Sequence, residues 1–176
     1  MKVILGMVMS VDGKTTRHNA PDIYHWSSKE DQKHFFSLVE KHDVIVMGRR
    51  TYEASRPVIR LTPGKLRLIM TRSPEEFKKE AVPGQLEFTA ASPGEIISGL
   101  SQKGYSEILL AGGGEINTLF LKENLVNELY LTIEPKVFGL GNPLVAAEAL
   151  DINLSLESVE KLNIEGTLLL KYSVAS

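Results

Sequence analysis

Four short apolar runs, residues 3–9, 43–48, 66–71 and 107–111, each end in a turn or a polar stretch. Three of them lead directly into a segment of helical character, at 49–54, 72–77 and about 115–123. A run that is apolar on both of its alternating faces belongs in the middle of a sheet covered from both sides. Repeated strand, turn and helix therefore predict an α/β fold with a mostly parallel sheet. Between these units, Ser27-Ser28-Lys29-Glu30 has capping-box spacing and starts a helix reaching His42. Residues 86–88 read as a short strand and 92–103 as a helix. Past residue 123 the alternation stops. Residues 128–133, 156–162 and 167–174 read as strands with no long helix between them, and Asn163-Ile-Glu-Gly166 reads as a hairpin turn. The expected architecture has three layers, with a mixed central sheet and an antiparallel carboxy-terminal edge.

Composition narrows the function classes. A length of 176 residues suits one domain, spanning 1–176. A net charge of −2 gives no general attraction to nucleic acid or to an anionic membrane, so neither is an expected partner. The absence of cysteine removes disulfides, thiolate metal sites and a cysteine nucleophile. His18, His25, His34 and His42 show no ligand spacing, so no metal is expected. The apolar start at Met1 breaks at Ser10-Val-Asp-Gly without a small-residue cleavage site, which favours a buried first strand and a cytoplasmic location.

The chemistry-bearing residues gather at the carboxyl ends of the predicted strands, where open α/β sheets collect ligands. Ile108-Leu-Leu-Ala-Gly-Gly-Gly-Glu-Ile-Asn117 reads as strand, tight turn and helix start. Such a start offers unpaired N–H donors and the positive end of a dipole to a phosphate. A plain tight turn is the alternative, since neither G-x-G-x-x-G nor Gly-Lys-Ser/Thr is present. Arg49 and Arg50 open a helix, where cations oppose the dipole unless an anion is held there. Thr71, Arg72 and Ser73 make a second basic, hydroxyl-rich corner. Asp31 lies four residues before Phe35 on the apolar stripe, so its carboxylate turns inward. It reads either as a proton donor with a raised pKa or as a carboxylate satisfying helix N–H groups. Asp12 and Lys14 read as substrate contacts or as turn residues. Glu115 reads as a ligand contact or as a complement to the dipole, and Trp26 and Tyr52 as pocket lining or core. The loop from residue 10 to Trp26, through His18, Asn19 and Pro21, is long enough to be a lid or binding loop.

Trp26…Asp31…Phe35, Val46-Met-Gly-Arg-Arg-Thr-Tyr-Glu53, Leu110-Ala-Gly-Gly-Gly-Glu-Ile116 and Asn127-Glu-Leu-Tyr-Leu131 resemble, in order, the dihydrofolate reductase superfamily. Within it, Ser10-Val-Asp-Gly-Lys14, His25-Trp-Ser-Ser28 and Pro135-Lys-Val-Phe-Gly-Leu-Gly141 are more similar to the RibD carboxy-terminal type, which reduces a ribosylated diaminopyrimidine in riboflavin biosynthesis. The resemblance implies a dihydrofolate-reductase-like fold and NADPH as hydride donor. It implies that Gly48, Arg49, Arg50 and Thr51 hold cofactor phosphates, Thr71, Arg72 and Ser73 the 2′-phosphate end, and Gly112, Gly113 and Gly114, with Glu115 and Ile116, the pyrophosphate. It also implies a cis peptide at Gly112-Gly113, Asp31 as the acidic residue, Asp12, Lys14, Trp26 and Phe35 as substrate contacts, and a homodimer. Asn117 stands where folate enzymes usually have an aromatic, and Lys65 near their arginine for the glutamate tail. Asp31, conversely, is not a regular feature of the riboflavin enzymes. The expected activity is reduction of a pyrimidine- or pterin-like heterocycle, of riboflavin type ahead of dihydrofolate. A dinucleotide-binding module without catalysis and a structural dimerisation domain are the alternatives.

Overall fold

The computed structural model describes residues 1–20 and 24–175, so Pro21 of the predicted loop lies outside the described residues. In chain order the elements are β1 (Lys2–Ser10), α1 (Lys29–Lys41), β2 (Val44–Gly48), α2 (Arg49–Ser55), β3 (Leu66–Met70), a 3₁₀ turn (Pro74–Phe77), β4 (Leu86–Thr89), α3 (Pro93–Gln102), β5 (Glu107–Leu110), α4 (Gly114–Lys122), β6 (Glu128–Glu134), β7 (Leu154–Lys161) and β8 (Leu168–Val174). They form one eight-stranded sheet in the order β4-β3-β2-β5-β1-β6-β8-β7. The chain steps outward from β1 through β2, β3 and β4, then returns to insert β5 between β2 and β1, pairing in parallel with both. That return is the switch point that opens a crevice above the carboxyl ends of the strands.

Alternation sorts the core into two layers. Val3, Leu5, Val44, Val46, Leu66, Leu68, Ile108 and Leu110 face α3 and α4, where Ile96, Leu100, Phe120 and Leu121 close over them. Ile4, Ile45, Met47, Ile69 and Leu109 face the other way, under Leu38 of α1 and Tyr52 of α2. At roughly 1.5–3 kcal/mol for each fully buried aliphatic side chain, these layers hold the sheet against chain entropy.

One expectation changes. The segment after β3 makes only a 3₁₀ turn, because Lys78, Lys79 and Glu80 give no apolar stripe beyond Phe77 for a helix to bury; Phe77 instead stacks on Phe88 at 4.8 Å. The carboxy-terminal edge is antiparallel, as its pattern predicts, β8 pairing antiparallel with both β6 and β7. β6 runs parallel to β1, entering through the α4 crossover like the strands before it, and β8 alone runs against the rest of the sheet. β7 is exposed along its whole length at the sheet margin. No helix among the described residues is long and apolar enough to cross a membrane.

Candidate active site

A cleft of about 2540 Å³ runs across the carboxyl ends of β2, β3 and β5 and down the α1 side of the sheet. Ordinary small-molecule sites occupy roughly 300–1,000 Å³, so this one has room for two ligands side by side. One limb is lined by Gly48 to Thr51, Thr71 to Ser73, and Gly113 to Ile116; the other by Asp31, Phe35, Val39, Ile59 and Arg67.

The first limb is built by backbone. Gly112 has φ +81° and is joined to Gly113 by a cis peptide, the bond expected there. A Cβ on Gly112 would lie 2.7 Å from Met7 Sδ, and one on Gly114 would lie 2.5 Å from the Pro143 carbonyl oxygen. Glycine is therefore required at 112 by its positive φ and at 114 by the nearby backbone oxygen. The turn is locked to β2 by Gly48 N–H donating to Gly112 O at 2.7 Å. Helices α1 and α3 cap themselves, Ser28 Oγ accepting from Asp31 N–H and Ser92 closing a capping box with Glu95. Helices α2 and α4 begin at Gly48 and Gly113 with no side-chain cap. The amides left open are thus the ones facing the cleft.

Charge in this limb is partly paired. Arg49 donates to both carboxylate oxygens of Glu53 at 2.9 Å, and Arg50 to Glu115 at 3.2 Å, so neighbouring acids offset the cations that oppose the helix dipole. Arg72 is exposed and makes no ion pair among the described residues; Ser73 N–H donates to Thr71 Oγ1 at 3.3 Å.

At the other limb Asp31 is 3 % exposed. Helix α1 starts at Ser28, one residue later than the capping-box spacing suggests. Asp31 is then the third helical residue, whose side chain would ordinarily reach back to the cap's N–H. Glu134, from the end of β6, takes that place, accepting from Ser28 N–H at 2.7 Å and from Thr167 Oγ1 at 2.9 Å. The Asp31 carboxylate is left to accept from the Thr132 and Ser27 hydroxyls and to face the cleft. Burial pushes its pKa up to about 6, against the two hydroxyls, with the Glu134 carboxylate adding to the rise. Of the two readings of Asp31, the helix-capping one is occupied by Glu134.

Three sequence candidates sit elsewhere. Asp12 accepts from Ser10 Oγ, Phe138 N–H and Gly139 N–H at 2.6, 3.1 and 2.7 Å, and its pKa falls to about 2, chiefly through the Ser10 bond. It pins the 136–141 segment to the end of β1. Lys14 bridges Pro143 in the same turn. Trp26 is buried edge-on to Phe138, 5.1 Å between centroids, against a smaller pocket. None of the three is among the described residues lining the main cleft, whereas Phe35 is.

The model of the family described as RibD C-terminal domain matches residues 1–168. The chain belongs to this family. Protein YwjB of Bacillus subtilis (strain 168), described as uncharacterized, is 29% identical over 153 residues, 81% of this chain and 82% of that one. The structure of a diaminohydroxyphosphoribosylaminopyrimidine deaminase/5-amino-6-(5-phosphoribosylamino)uracil reductase of Thermotoga maritima superposes with a TM-score of 0.77 at 16% identity, covering 99% of this chain and 56% of that one. Dihydrofolate reductase of Enterococcus faecalis, complexed with NADP(H), gives 0.68 at 16% identity over 99% and 97%. The fold is dihydrofolate-reductase-like.

Sequence reading missed Glu134, Thr132 and Arg67. A lone arginine inside the apolar Leu66–Met70 strand is a visible anomaly; a glutamate ending β6 becomes legible only when α1 is seen to start against it. Asn117 is wholly buried, donating to Leu144 O at 2.8 Å, and Thr118 accepts from Ala146 N–H at 2.7 Å. Together they hold the 142–147 segment over the glycine turn.

Proposed function

We propose that this protein is an NADPH-dependent reductase of a pyrimidine-like heterocycle, of the ribosylated diaminopyrimidine type in preference to dihydrofolate. The observation that carries this reading is a buried, protonatable Asp31 facing the same cleft as two helix starts left without side-chain caps. Family membership supports a reductase role. The first limb fits a dinucleotide. Glycines at 112 and 114 keep the turn close to its surroundings, the α2 and α4 amides are free to meet phosphate oxygens, and Arg72 with Thr71 and Ser73 is the unpaired basic corner suited to a 2′-phosphate.

When bound, NADPH supplies a hydride. The chain's own contribution is position and a proton. Phe35 and Val39 give the ring an apolar wall, which excludes water from the reacting face. Asp31, protonated in part near neutral pH, holds a proton at its carboxyl group for the substrate heteroatom bonded to the carbon that takes the hydride. Thr132 and Ser27 fix that group's orientation. Lys65, the counterpart of the folate enzymes' tail arginine, spends its Nζ on the carbonyls of Glu40 and His42, which favours the riboflavin-type substrate over dihydrofolate.

The exposed β7 edge, which carries Leu154, Leu156 and Val159 among polar residues, suits pairing with a second copy, and we read the protein as a homodimer. The test of the function is titration of NADPH and NADH by calorimetry, followed by NADPH oxidation with 5-amino-6-(5-phosphoribosylamino)uracil and with dihydrofolate. Binding of NADPH with turnover of the first substrate is expected; binding of neither nucleotide refutes the proposal.

A further inference from the structure

Arg67 is the least explained charged residue of the molecule. It stands second in the five-residue β3, in register with Ile45 of β2 on one side and Leu86 of β4 on the other, both buried. Its side chain emerges on the α1 face of the sheet and lines the cleft together with Phe35 and Val39. The residue is 8 % exposed. Its Nη1 is buried with no hydrogen-bond partner, and the guanidinium makes no ion pair among the described residues. A cation is tolerated in such a position when an anion or several acceptors meet it, because charge taken out of water without a partner is strongly disfavoured. Neighbouring acids do not serve here. Glu40, a carboxylate that lines the cleft, contributes a backbone carbonyl to Lys65 and no ion pair to Arg67 among the described residues.

Lys65 would be the obvious anion ligand at this end, but its Nζ donates to Glu40 O at 2.5 Å, His42 O at 3.1 Å and Asp43 Oδ1 at 3.4 Å. It closes the carboxyl end of α1 and has little left to offer a ligand. Arg67 lies two residues further along the same strand edge and so shares its face. It has a planar array of five donors, of which the buried Nη1 meets no acceptor among the described residues. We propose that Arg67 forms an anion subsite in the α1 limb of the cleft, taking the charged group on the substrate's tail, a phosphate or a carboxylate, while the ring lies toward Asp31. The identity of the ligand rests on the reductase reading; the existence of the subsite does not.

The test uses full-length wild type, Arg67→Met, Arg67→Lys and Lys65→Met. Each is titrated calorimetrically, with NADPH saturating and without it, using 5-amino-6-(5-phosphoribosylamino)uracil, its dephosphorylated ribosyl form and dihydrofolate. Wild type is expected to prefer the phosphorylated compound by roughly 10–100-fold, the range of one or two charge-assisted hydrogen bonds. Arg67→Met is expected to abolish that preference while binding the dephosphorylated form as wild type does, Arg67→Lys to keep part of it, and Lys65→Met to keep all of it. Loss of dihydrofolate affinity in Arg67→Met, with no phosphate preference in wild type, assigns the subsite to a carboxylate instead. A preference that survives Arg67→Met, or equal weakening of all three compounds, overturns the subsite even if NADPH binds and is oxidised. A preference lost in Arg67→Met while NADPH fails to bind overturns the reductase reading and leaves the subsite standing. Removing an unpaired buried charge should also raise the melting temperature of Arg67→Met in the absence of ligand, which distinguishes a lost contact from a damaged fold.

Discussion

Replacing Asp31 with Asn separates what the fold gains from this residue from what the chemistry gains. In the native protein the carboxyl group titrates at about 6, against an ordinary value of 3.8. Between those values the folded chain holds a proton that the unfolded chain has released. Stability conferred by the protonated form is therefore complete below about pH 4 and is lost as pH rises to about 6, staying low above it. A shift of about two units at roughly 1.4 kcal/mol each amounts to about 3 kcal/mol of destabilisation at neutral pH. Asn cannot ionise, so it escapes this loss. It keeps an oxygen for Thr132 but bonds Ser27 less well, which costs about 1 kcal/mol. Asp31→Asn is thus expected to be more stable than wild type by about 1–2 kcal/mol at pH 8 and slightly less stable at pH 4. Urea unfolding at half-unit intervals from pH 4 to 8, with m-values compared, measures the difference directly. In the same variant NADPH affinity should persist while turnover is lost. A stability difference that stays flat from pH 4 to 7 would mean that Asp31 is not desolvated in the native state, and the proton-donor argument would fall with it.

Glu134→Gln leaves an acceptor for only one of Ser28 N–H and Thr167 Oγ1, and should destabilise the protein by about 1–3 kcal/mol; removal of its charge should also move the alkaline limb of the pH–rate profile to lower pH, because the Glu134 carboxylate raises the Asp31 pKa. Gly114→Ala places a methyl 2.5 Å from the Pro143 carbonyl oxygen, a backbone atom that cannot step aside alone, and should lower stability by about 1–3 kcal/mol in thermal melts and weaken NADPH binding. Arg72→Ala should weaken NADPH by roughly 10–100-fold and leave NADH unchanged in parallel titrations, since only the former carries a 2′-phosphate for this corner.

The parts of this molecule that could be read from the sequence are those set by local rules. The runs 43–48 and 107–111 became β2 and β5 because nothing but a doubly covered sheet accommodates them, and the glycines at 112–114 suit their turn because Gly112 has a positive φ and Gly114 lies against a backbone oxygen. What escaped depends on partners distant in the chain. Ser28 and Glu134 are 106 positions apart, and only their contact decides whether Asp31 caps a helix or faces the cleft. The direction of β6 likewise followed from where the α4 crossover lands, not from its own alternating pattern.

Four groups that cost the fold stability share a location. Stable folds pair their buried polar groups and cap their helices, and α1 and α3 obey with Ser28 and Ser92. Buried Trp26 Nε1, His34 Nε2, His42 Nε2 and Asn117 Oδ1 have no hydrogen-bond partner among the described residues and lie away from the cleft lining, whereas the glycine-started α2 and α4, the desolvated Asp31 carboxyl and the Arg67 Nη1 border one cleft. Each alone is a small loss of stability with several structural explanations. Brought together at the crevice made by inserting β5 between β1 and β2, these four describe a ligand by its complement: phosphates at the open helix starts, a heterocyclic substrate that takes a proton beside Asp31, and a second anion at Arg67. A molecule matching only one of these features should bind weakly, and the ternary combination of NADPH with an anionic heterocycle should stabilise the protein by more than the sum of the two taken separately if the cleft closes over both.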